Sequence, residues 1–165
     1  MVGWRDGRTQ LEERFPKLVS HGYYHTSQPT DAYNCVAWIA RDVTQWWSPE
    51  DVDGYYWPFP KTDGSLRAYL AMFETFLGYR ECPSGALRLG SEKIAVYVDG
   101  DEFCHVAHQR SDGTWSSKIG ELGDICHTRL ESICGSGVFE YSPHLIFMCR
   151  PRQPHRLAET GLLLP

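Results

Sequence analysis

No stretch of this sequence approaches the roughly 20 apolar residues of a bilayer-spanning helix, and its opening, MVGWRDGRTQLEERF, lacks the apolar segment of a secretory signal. The expectation is a soluble, cytoplasmic protein with no membrane partner. Basic residues are scarce too. Sixteen Lys and Arg against 21 Asp and Glu leave a net charge of −5, and the basic ones are scattered, which argues against a broad phosphate-binding face and a nucleic-acid partner. There is no internal repeat and no low-complexity linker. No CxxC pair occurs among the six cysteines Cys35, Cys82, Cys104, Cys126, Cys134 and Cys149. Their even number would allow disulfides, but a chain this rich in core-forming residues needs no staples, so reduced thiols are expected.

What is present is core material. With 42% hydrophobic and 13% aromatic residues, 165 positions can bury one sizeable core, and we read a single domain over 1–165 with a loosely structured tail from 150. In YNCVAWIARDVTQWW, apolar side chains recur at steps of three and four from Val36 to Trp47, predicting a helix that starts at Asn34 and stops at Ser48 and Pro49. A second helix is predicted over 65–77, with Gly78 as its stop. From Glu92 the pattern changes to short β runs, KIAVYVD, FCHVAHQ and TWSSKIG, separated by DGDE and SDG turns. VFEYS and HLIFMCR, interrupted by Pro143, read as a bent or paired edge strand. Helices first and an antiparallel meander second predict the α+β class.

Cys35 alone among the cysteines falls in the first turn of a predicted helix, where free backbone N–H groups and the positive end of the helix dipole favour thiolate. Asn34 and the Cys35 amide are placed to donate to an oxyanion formed when sulfur attacks a carbonyl. A thiol nucleophile needs an imidazole within reach and a third group to orient that imidazole. His105, in a strand some seventy residues downstream, is the candidate base.

On YNCVAWIA and HVAHQRSDGTWSSKIG the chain resembles the papain-like cysteine peptidase superfamily, the first segment standing for the nucleophile helix and the second for the histidine strand, turn and following strand. It is also similar to a group of bacterial proteins that share the NC motif, the aromatic loop and WxSKxG. The resemblance implies a papain-like fold, N-terminal helices packed on a C-terminal antiparallel sheet, and a Cys35–His105 dyad completed by a polar residue on the next strand. That residue falls at Ser116, Ser117 or Lys118, none of them a carboxylate or amide; Ser117 can accept from the imidazole, and Lys118 suits a substrate contact. Asp124 and His127 in GELGDICH are further candidates for the orienting group.

The implied function is a cysteine hydrolase, a peptidase or amidase acting on a protein or peptide through an acyl-thioester. Deamidase, acyltransferase and transglutaminase chemistry use the same intermediate. The alternative is a catalytically silent binding or immunity module, motivated by the missing carboxylate. A third reading takes Cys104, His105, His108, Cys126, His127 and Cys134 as zinc ligands. Their spacing disfavours it, because neighbours on a strand point to opposite faces, and we expect neither metal nor cofactor. His21 and His25 read as loop or surface residues, and His108 as facing away from His105. Of the aromatic loop, Trp57 and Phe59 in YWPFP read as exposed, Trp57 as a substrate contact.

Overall fold

The computed structural model describes residues 4–138 and 140–153. Seven strands form one antiparallel sheet in the order β1-β6-β5-β4-β3-β7-β2: β1 Tyr23–His25, β2 Arg80–Glu81, β3 Ser91–Asp99, β4 Glu102–Gln109, β5 Trp115–Lys118, β6 Asp124–His127 and β7 His144–Pro151. Four helices, α1 Trp4–Arg14, α2 Lys17–His21, α3 Cys35–Ile39 and α4 Leu66–Thr75, complete an α+β fold. None of the helices among the described residues is long and apolar enough to cross a membrane.

Side chains alternate across a strand, so each of the two hydrophobic clusters draws on alternate positions. Ile94, Val96, Val98, Val106 and Met148 pack with Val36, Ile39, Tyr69 and Phe73 of α3 and α4. Ala95, Tyr97, Ala107 and Ile125 pack with Leu11, Phe15 and Leu18 of the α1–α2 segment. Helices therefore cover both faces of the sheet.

The expected first helix ends early. Ala40 caps α3, and Arg41 takes φ 61°, a left-handed conformation uncommon for a side chain with a Cβ. Asp42 then accepts from Thr44 N at 2.9 Å, Thr44 Oγ1 at 2.6 Å, Gln45 Nε2 at 2.9 Å and Trp47 Nε1 at 2.8 Å. A carboxylate that gathers so many local donors stabilises a turn against further helix. The second helix lies where periodicity put it, with Leu66, Tyr69, Met72 and Phe73 buried and Gly78 at φ 76° behind it.

Two expectations about the C-terminal region are corrected. HLIFMCR forms an interior strand, because β7 pairs with β3 over its whole length and carries the two-residue β2 on its other side. Arg150 and Pro151, assigned to a tail, belong to that strand, and Arg150 is buried. Residues 154–165 lie outside the described residues.

Ile39 is 3% exposed within the α3 cluster. Ile39→Asp should therefore abolish the cooperative thermal transition seen by circular dichroism, since an unpaired buried charge costs several kcal/mol, about the whole stability of a small domain. A folded, cooperative Asp variant would refute the packing of this helix.

Candidate active site

Asn34 begins α3 as its N-cap: Oδ1 accepts from Ala37 N at 3.0 Å and Trp47 N at 3.2 Å, and Nδ2 donates to Trp47 O at 2.8 Å. The side chain expected to donate to an oxyanion thus clamps the helix start to the following loop. Cys35 comes next, its residue partly exposed. Burial pushes its thiol up to about 11, against the opposing influence of the Val106, Val36 and Cys35 amides and the charge of Lys118. At rest this is a thiol.

β4 and β5 are paired only at His108↔Ser116 and Gln109↔Trp115. Beyond these pairs the strands part, and α3 packs against both. The amide of Val106 lies close enough to Cys35 to favour its thiolate, which places the sulfur beside the residue that follows His105.

His105 faces the α1 side of the sheet, opposite Tyr97 in register and only 1% exposed. Its Nε2 is 3.0 Å from Ser117 Oγ, which is 2.9 Å from His127 Nε2, and His127 Nδ1 is 2.8 Å from the Arg129 carbonyl oxygen. Tyr141 stacks on the His105 ring at 4.5 Å with 3° between planes, and its hydroxyl is 3.5 Å from Arg14 Nη2. Burial, then the neighbouring His127 and Arg14, hold the His105 imidazolium well below the usual histidine range. Among the described residues no hydrogen bond joins Cys35 Sγ to His105. Cys35 packs against the α3 cluster, whereas Tyr97 and Tyr141, the rings against His105, belong to the cluster on the other face.

The other expected site residues take structural positions. Lys118 is fully buried, and its ammonium donates to the carbonyls of Thr30 at 2.7 Å, Gly120 and Leu122. With three donors on three acceptors it pins two loops and has nothing left for a substrate. Asp124 lies opposite Lys118 in register, on the α3 face, and so does not orient His105. Its Oδ2 accepts from Tyr33 Oη at 2.8 Å, while Oδ1 has no partner among the described residues, and burial raises its pKa. Trp57 is 8% exposed and meets Tyr69 edge-on at 5.5 Å, so it belongs to the core and not to a groove wall. Ser116 accepts from Trp38 Nε1 at 3.3 Å on the α3 face.

Three features escaped sequence reasoning. The parting of β4 from β5 depends on register, which no local pattern encodes. Tyr141, in the VFEYS segment, and Arg14, near the start of the sequence, carry no local signal of a place beside His105. Arg14 also lines a cleft of about 690 Å³ with Gln10, Glu13, Trp46, Glu121 and Leu122. Arg14 connects this cleft to the tyrosine that stacks on His105. Among the described residues no three His, Cys, Asp or Glu side chains converge as a metal site would require.

A family model described as "Domain of unknown function (DUF7689)" matches residues 24–142, which span Cys35, His105, Ser117 and His127. No curated protein and no solved structure matches the chain.

Proposed function

The chain belongs to the DUF7689 family, and for this member we propose a papain-like cysteine hydrolase cleaving an amide or related acyl bond of a protein or peptide. One observation carries this reading: His105 is held through Nε2 by Ser117 on the neighbouring strand, while the amide of the next residue, Val106, serves the sulfur of Cys35 at a helix start. On this reading nucleophile and base are brought together where β4 parts from β5, with Ser117 as the orienter.

In the reaction, His105 takes the proton of the Cys35 thiol as sulfur adds to the substrate carbonyl carbon. The Cys35 and Val36 amides, as the first free donors of α3, are suited to the resulting oxyanion. The C–N bond breaks, His105 returns the proton to the leaving amine, and a thioester remains. Water then adds to that carbonyl, giving a proton to His105; the C–S bond breaks and the thiol recovers its proton. Because the resting thiol titrates near 11 and the imidazole is neutral, proton transfer accompanies attack and no thiolate–imidazolium pair is stored.

The test is acylation by p-nitrophenyl acetate, followed by intact mass and peptide mapping. Cys35 should acylate in preference to the partly exposed Cys82, Cys104 and Cys149, the adduct should vanish in Cys35→Ser, and His105→Ala should slow it by about 100-fold. Acylation indifferent to His105, or none at Cys35, would remove the hydrolase. The second reading, a silent binding module of the same fold, would then stand; the missing Cys35–His105 hydrogen bond and the high thiol pKa favour it.

A further inference from the structure

Between the His105 imidazole and the Arg129 carbonyl runs a chain of three contacts in which every proton has one permitted position. The carbonyl oxygen can only accept, so His127 Nδ1, at 2.8 Å, must carry hydrogen. His127 is fully buried and burial holds its pKa at about 4, so near neutral pH the ring has a single N–H and its Nε2 is a bare acceptor. The Ser117 hydroxyl, 2.9 Å away, therefore donates to His127. Having only one hydrogen, it must accept from His105 Nε2 at 3.0 Å. The neutral His105 ring is then protonated on Nε2 and carries its free lone pair on Nδ1. The reverse direction would set the bare Nδ1 of His127 against a carbonyl oxygen, two acceptors at hydrogen-bond distance.

We infer that His127, anchored on the Arg129 carbonyl, is a positioning residue that acts through Ser117 to hold His105 in the Nε2–H tautomer, leaving Nδ1 as the nitrogen that takes a proton. This use of Nδ1 rests on the hydrolase reading; the tautomer itself does not. A serine is a weak orienter alone, because its hydroxyl rotates and can donate or accept equally well. The second imidazole removes that freedom and supplies what a carboxylate or amide on the strand would otherwise provide.

The experiment uses the full chain with 15N-labelled histidine, reading tautomers at neutral pH from ring nitrogen shifts and two-bond proton couplings. The expected wild-type result is His105 as Nε2–H and His127 as Nδ1–H. Ser117→Ala and His127→Phe should each leave His105 a mixture of both tautomers, whereas His127→Gln, whose carboxamide oxygen can accept the serine proton, should restore the single form. If His127→Phe does not fold, Ser117→Ala decides. Acylation of Cys35 by p-nitrophenyl acetate should fall on the order of tenfold in Ser117→Ala and His127→Phe and recover in His127→Gln. A wild-type His105 carrying its proton on Nδ1, or a single Nε2–H form surviving Ser117→Ala, overturns the inference. If the tautomers are as stated but acylation ignores His105, the hydrolase reading falls and the tautomer lock stands. If acylation depends on His105 while the tautomers differ, the lock falls alone.

Discussion

Glu92→Ala should destabilise the fold by about 3–5 kcal/mol, read as the shift in urea midpoint multiplied by the slope, because it strands a buried guanidinium. Glu92 is 2% exposed at the start of β3. Its Oε2 accepts from Arg150 Nε and Nη2, each at 2.8 Å, and its Oε1 from Arg41 Nη2 at 2.9 Å. Arg150 also donates through Nη1 to Leu77 O at 2.6 Å and lies 4.4 Å over the Tyr79 ring, so it cannot turn to solvent when its carboxylate is removed. Burial alone would raise the pKa of Glu92, yet Arg150 and Arg41 together hold it below the ordinary glutamate value, which marks the carboxylate as charged in the fold.

Arg41 supplies the control. Its side chain is about half exposed, so Arg41→Ala should cost no more than about 1 kcal/mol, as surface ion pairs generally do. If the two variants lost equal stability, the energetic centre of this cluster would lie outside the Glu92–Arg150 pair. The network also accounts for the left-handed backbone of Arg41. Chain reversal after α3 carries that guanidinium to β3, and the ion pair offsets part of the conformational cost.

How far each of these features could be read from residues alone depended on how local its cause is. The stripe of α4 repeats over nearly three turns, and β3 and β4 are β runs separated by turn residues, so pattern sufficed. In α3 the same periodicity misled past Ile39, because the side chain of Asp42 decides the matter by hydrogen bonding and not by hydropathy. β6 is only four residues long and alternates Asp124, Ile125, Cys126 and His127, with none of the continuous apolar character that marks β3. Its polar members are buried because the strand lies inside the sheet, a fact of topology.

The same limit applies to the site. Helix position and strand order single out Cys35, His105 and Ser117 as candidates, and the structure joins the last two by a hydrogen bond. Lys118 and Asp124 look equally chemical on paper, yet they lie on the opposite face from Ser117, one consumed by loop carbonyls and the other bound through Oδ2 to Tyr33. Polarity within a strand identifies an unusual residue, but only the neighbours across the sheet distinguish a support from a participant. Trp57 illustrates the converse, since the two prolines that follow it in YWPFP suggest a surface turn while its ring meets Tyr69 edge-on in the core.

Lowering the pH from 7 to 5 should remove about 2 kcal/mol of stability for each histidine that the fold keeps neutral. Burial depresses His127 to about 4 and His105 well below its ordinary 6.5, so the unfolded chain binds their protons first. The sign follows: stability is complete above about 6.5, where both states are neutral, and declines as pH falls towards the folded-state values. His108, also lowered to about 4 chiefly by burial and with Glu92 opposing, adds in the same direction. Carboxylates held low in the fold do not confuse this window. Glu92 and Asp42, held low in the fold, withdraw stability only below about pH 4.5, where unfolded carboxylates begin to protonate. Asp124, raised by burial, works the other way and becomes easier to bury as acid is added. Urea midpoints measured at half-unit steps between pH 7 and 5 should therefore fall steadily, and His127→Gln, whatever its stability at pH 7, should show a shallower slope by about one proton's worth. A wild-type curve flat across that interval would mean the imidazoles are reached by water or protonated in the fold. Part of the His127 rings would then be doubly protonated near neutral pH, and the Ser117 relay would lose its single direction.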